Sequence, residues 1–78
     1  MLNRSAFFAL LASDDKQQCY TEARRYGNIQ IDSSYDIDDG AHAGAHRIIT
    51  IEHHGVALMF HMHNGNVLSL SILNWFEL

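Results

Sequence analysis

The sequence predicts an α+β domain: an N-terminal helical segment packed on a small antiparallel sheet, a three- to four-stranded meander, over a single domain of residues 1–78. Three observations carry this. Apolar residues recur at helical spacing through the first third of the chain. From Ile29 onward the apolar period changes to two. Asn64-Gly65 stands between two apolar runs, and that pair is the strongest short hairpin signal because both turn residues need positive φ.

The elements follow in order. Phe7, Leu10 and Leu11 fall on one helical face with Ala6. Ser13 followed by Asp14 and Asp15 reads as a helix start, a hydroxyl cap and then acids at the positive end of the helix dipole. Cys19, Tyr20, Ala23 and Tyr26 repeat at helical spacing, Arg24 and Arg25 suit a last turn, and Gly27 reads as a left-handed stop. Two helices, or one kinked helix, are expected between residues 3 and 26. Ile29 and Ile31 predict a short strand at about residues 28–32. Residues 33–45 hold aspartates and the repeat Gly-Ala-His-Ala-Gly-Ala-His, with too few apolar residues to pack, and predict an exposed loop. Runs at 47–52, 56–63 and 67–73 predict three strands, with His53-His54-Gly55 as a turn of two or three residues. Trp75, Phe76 and Leu78 form an apolar end that either finishes the core or faces a partner.

Composition narrows the function classes. With 47% hydrophobic and 18% charged residues, no proline and one cysteine, the chain is neither disordered, collagen-like nor disulfide-stapled. No apolar run approaches the roughly 20 residues that cross a bilayer, so no membrane role is expected. Residues 4–13 imitate a secretion signal, but Leu10 suits a cleavage site badly and a helix is the expected reading. Cys19 alone fits a reducing compartment. Ordering costs about 1.5 kcal/mol per residue, so so small a core calls for very good packing, a metal, or a partner chain such as a second copy.

The formal charge of −4 is carried by the middle of the chain: Asp32, Asp36, Asp38 and Asp39 lie between residues 28 and 46 with no base among them. There is no basic stripe, which argues against direct binding of DNA or RNA. The EF-hand pattern fails, because placing Gly40 at the sixth loop position puts Tyr35 and Ile37 where ligands belong. The acids read either as a solvated loop or as a phosphate-imitating patch that engages Arg and Lys bidentately.

Six histidines are the unusual count. A two-residue turn at His54-Gly55 pairs His46 with His63 and Ile48 with His61; one at Asn64-Gly65 pairs His63 with Asn66 and His61 with Leu68. That register gathers His46, His61 and His63 on one side of the sheet, as candidate metal ligands or a pH-sensitive surface. A three-residue first turn would send His46 to the opposite face. The ordinary reading is of partly exposed strand and turn histidines, and neither a metal nor a cofactor is assigned. No nucleophile, base and orienting group come together: Cys19 reads as a buried apolar filler, and no phosphate loop or metalloprotease motif is present. The chain is expected not to be an enzyme.

In whole-chain character the sequence resembles the small inhibitor proteins of phages and mobile elements, the anti-CRISPR type. It is short, acidic and without a catalytic motif, with a helical stretch, a meander and the Asp32 to Asp39 cluster. The resemblance is one of architecture and carries over no functional residue. It implies a protein-binding inhibitor in the host cell cytoplasm that blocks the nucleic-acid site of a bacterial defence complex. Asp32, Asp36, Asp38 and Asp39 would then meet basic side chains, and Trp75 and Phe76 would add apolar contact. The alternatives are a histidine-cluster metal-binding or pH-sensing protein, and a subunit of a larger phage assembly.

Overall fold

Two helices precede four strands: α1 (Arg4–Ala12), α2 (Lys16–Tyr26), β1 (Asn28–Ile37), β2 (Gly44–His53), β3 (Val56–His63) and β4 (Asn66–Trp75). The computed structural model describes residues 1–75, the side chains of 74 and 75 excepted. The strands form one antiparallel meander in the order β1-β2-β3-β4. This is the expected α+β architecture, with all four strands in one sheet.

The helices start on side-chain caps. Asn3 Oδ1 accepts from the Ala6 amide at 2.8 Å, and Asp15 Oδ1 accepts from the Gln18 amide at 3.1 Å. Ser13, expected to open the second helix, instead closes the first, its hydroxyl donating to the Leu10 carbonyl at 2.7 Å. The break falls at Asp14, whose φ of 61° cannot continue a helix, and this hands the capping role to Asp15. Gly27 is not a left-handed stop either: its φ is −84° and its ψ 179°. Glycine is required there for space. A Cβ would lie 2.7 Å from the carbonyl oxygens of Ala23 and Glu52 and from Ile51 Cγ2.

β1 runs to Ile37, five residues past its expected end, and the predicted loop of 33–45 shrinks accordingly. Ser33, Ser34, Tyr35 and Asp36 pair with Ile48, Arg47, His46 and Ala45. An edge strand needs only the backbone ladder, so polar side chains left in water do not end it. Both later hairpins turn on two residues, His54 and Gly55 at φ 53° and 78°, Asn64 and Gly65 at 49° and 85°. His46 therefore faces His63, and Ile48 faces His61. On β4, His63 faces Asn66 as expected, but His61 faces Ser69 rather than Leu68, because the register shifts between His61 and Met62 and leaves Leu68 as an extra residue.

These registers give the sheet two unlike faces. Ile49, Ile51, Val56, Leu58, Phe60 and Met62 point to one side and bury against Phe7 of α1 and Cys19 and Ala23 of α2. Ala6, placed with Phe7 on the expected apolar stripe, is exposed. Neither helix covers the other face, where Ile31 remains 61% and Tyr35 44% exposed. Among the described residues, no helix is long and apolar enough to cross a membrane.

Candidate functional site

The register brings His46, His61 and His63 together on the bare face. His46 is buried although no helix covers it, because flat rings stack on it: Tyr35 with centroids 5.1 Å apart and His63 at 4.4 Å. Its Nε2 donates to the His42 carbonyl at 2.6 Å, which leaves the lone pair on Nδ1. His61 Nε2 donates to that lone pair at 3.0 Å, with the Tyr35 hydroxyl 3.4 Å away. His63 Nε2 donates to the Ala43 carbonyl at 2.8 Å. The carbonyls come from the short β1–β2 connection, which is pinned by Asn64: its Oδ1 accepts from the Ala45 amide at 3.0 Å, and its amide donates to the Ala45 carbonyl at 2.8 Å. Four of the six ring nitrogens of this cluster are thus engaged by carbonyls or by one another.

A second cluster lies on the helix side. α2 brings Glu22 into the apolar layer beside Cys19 and Ala23, and the end of β2 brings His53 to meet it. His53 Nε2 and Glu22 Oε2 are 2.7 Å apart, both residues being buried. The Leu2 amide donates to both Glu22 oxygens, at 3.2 and 3.3 Å. Burial pushes the Glu22 carboxyl up, but the hydrogen bonds from His53 and Leu2 and the nearby positive charge outweigh it and hold the group below the ordinary glutamate value. His54 stands next to them in the turn, its Nε2 donating to the Leu2 carbonyl at 2.8 Å. Among the described residues, Glu22, His53 and His54 are the set whose ligand atoms all lie within 4.8 Å of one another.

Sequence reasoning missed this second site. The readable signal was Glu22 itself, a carboxylate three residues after Cys19 and one before Ala23, inside the apolar stripe of a helix. A charge on that stripe has to be paired.

The four aspartates are not equivalent. Asp32 is held in a two-pronged pair with Arg47, from Nε at 2.7 Å and Nη2 at 2.5 Å. The Arg47 hydrogen bond holds its carboxyl below the ordinary aspartate value. Asp36 is the last residue but one of β1, Asp38 and Asp39 follow the strand, and all three are exposed with no ion-pair partner among the described residues. Trp75 closes β4 opposite Val56, while its side chain, and all of Phe76, lie outside the described residues. Cys19 is a buried free thiol whose pKa is raised, first by burial and then by Asp15 and Asp14, which suits an apolar filler.

Fold and sites together define a two-layer α+β domain with one bare sheet face. Comparison with known proteins finds no matching family model, no matching curated protein and no matching solved structure.

Proposed function

We propose that this chain is a non-enzymatic protein-binding module of the kind the anti-CRISPR inhibitors represent. It docks the acidic end of its β1–β2 hairpin on a basic, nucleic-acid-binding surface of a bacterial defence complex in the host cytoplasm. The observation that carries the reading is the group Asp36, Asp38 and Asp39, three exposed carboxylates without ion-pair partners among the described residues. Unneutralised carboxylates a few residues apart offer Arg and Lys the contacts a phosphate backbone would make. Asp32 drops out of the set, since Arg47 already neutralises it.

The test is binding to purified CRISPR effector complexes, free and DNA-loaded, by wild type and by a variant with Asp36, Asp38 and Asp39 changed to Asn. We expect wild type to bind the free complex and compete with DNA, and the variant to bind about tenfold or more weakly at low salt. Equal affinity of the two proteins at low salt sinks the acidic mechanism. Absence of binding to every such complex sinks the whole reading.

A further inference from the structure

We propose that Glu22, His53 and His54 form a Zn²⁺ site, with Leu2 holding its ligands in place. Each residue offers one ligand atom, and the three atoms lie within 4.8 Å of one another. Zinc sits about 2.0–2.2 Å from nitrogen and oxygen ligands, which sets neighbours of a tetrahedral shell about 3.3 Å apart. His53 Nε2 and Glu22 Oε2, now at 2.7 Å, need to part by only a fraction of an ångström. The ion takes the place of the proton they share, and that proton leaves to solvent. Two imidazoles and a carboxylate suit zinc, whereas calcium and magnesium prefer all-oxygen shells.

The surroundings are those of a ligand set. His54 donates Nε2–H to the Leu2 carbonyl at 2.8 Å, so its lone pair is on Nδ1. A hydrogen bond from the second ring nitrogen to a backbone carbonyl is the usual support of a metal-bound histidine. The Leu2 amide orients the carboxylate through both oxygens. Phe7 walls the site on the core side, its ring 4.7 Å from His53 and 5.7 Å from His54. Glu22 also lines a cleft of about 340 Å³ together with Leu2, Thr21, Arg25 and Tyr26. Neither histidine lines that cleft, so Glu22 is the ligand it reaches.

A buried pair of Glu22 and His53 leaves the third ligand to His54, which the turn holds at φ 53° beside them, at a position that Asn also suits.

The experiment is calorimetric titration of the chelator-stripped, untagged chain with ZnCl₂. It compares wild type with His54→Asn, which removes a ligand yet suits the turn, and with His61→Asn on the bare face. Wild type is expected to take up one Zn²⁺ per chain, with affinity cut roughly 10- to 100-fold in His54→Asn and unchanged in His61→Asn. Imidazole ¹⁵N shifts of the wild type, independent of any variant, should move on zinc addition at His53 and His54 and stay still at His46, His61 and His63. No binding by wild type overturns the proposal. So does equal affinity in His54→Asn, a His61→Asn loss as large as that of His54→Asn, or zinc-induced shifts confined to the bare-face histidines.

Discussion

The two histidine clusters sit on opposite sides of one sheet and are assembled by different rules. His46, His61 and His63 meet because strand register puts them there, and their remaining partners are carbonyls of the adjoining β1–β2 connection. His53 and His54 meet partners brought by the helical layer: Glu22 lies 31 residues from His53, and Leu2 lies 52 from His54. One cluster depends on the sheet alone. The other depends on how the helices dock. The difference teaches that a bare sheet face can bury a polar side chain by ring stacking, whereas a carboxylate under a helix is tolerated only with its partner in place.

The largest expected effect follows directly. Glu22→Ala leaves the buried His53 Nε2 without its carboxylate, and losing a hydrogen bond to a charged group costs about 1.5–3 kcal/mol. His61→Ala takes one hydrogen-bond partner from His46 and costs about 1 kcal/mol. Urea denaturation of the two variants measures the gap. Equal costs would break the comparison, since the helix-side pair would then be no more demanding than the sheet-side one.

Gly27→Ala sharpens it. The added Cβ meets two carbonyl oxygens and a methyl at 2.7 Å, so α2 must shift against β2. Overpacking of this kind costs about 1–3 kcal/mol. The shift should also pull Glu22 away from His53 while leaving the His46–His61 contact intact. NMR of the imidazole nitrogens reads both at once, and movement of both clusters together would refute separate assembly.

How much of this could be read from the chain tracks the same division. Asn64-Gly65 and His54-Gly55 announce two-residue turns, and from them the pairing of His46 with His63 follows by counting. Register is local arithmetic. The end of β1 was not legible because Ser33, Ser34 and Asp36 carry no apolar signal on an edge strand. The cap moved from Ser13 to Asp15 because the two residues compete and only the break at Asp14 decides between them. Glu22 is readable as a charge inside the apolar stripe of α2, but its partners are not, since His53 lies 31 residues away and Leu2 lies 20. The neutralisation of Asp32 by Arg47 is likewise not legible, because it crosses β1 and β2, whose register shifts between Ile29 and Ile31.

A smaller effect is expected at the turn. His54→Asn loses the bond to the Leu2 carbonyl and gains a residue suited to positive φ. The opposing changes should leave metal-free stability within about 0.5 kcal/mol of wild type. A cost as large as that of Glu22→Ala would mean that His54 is part of the helix-side scaffold rather than an addition to it.

The smallest effect is at the surface pair of Asp32 and Arg47, which joins β1 to β2 and touches neither cluster. The Arg47 hydrogen bond lowers the Asp32 pKa in the folded protein, so in acid the unfolded chain binds the proton first. The stabilisation is therefore complete above the ordinary aspartate value of about 4 and is lost as pH falls through the lower folded value. In a thermal-melting series, Asp32→Asn should lower the melting temperature slightly at pH 7 and not at all once both states are protonated. Its side chain is about a third exposed, so the difference at pH 7 should shrink in about 1 M NaCl, where the Debye length is near 3 Å. The side chains of His53 and Glu22 are only 4% and 9% exposed, so the cost of Glu22→Ala should move less with salt than that of Asp32→Asn. A salt-insensitive Asp32 effect, or a Glu22 effect as salt-sensitive as that of Asp32, would show that burial does not separate the two carboxylates.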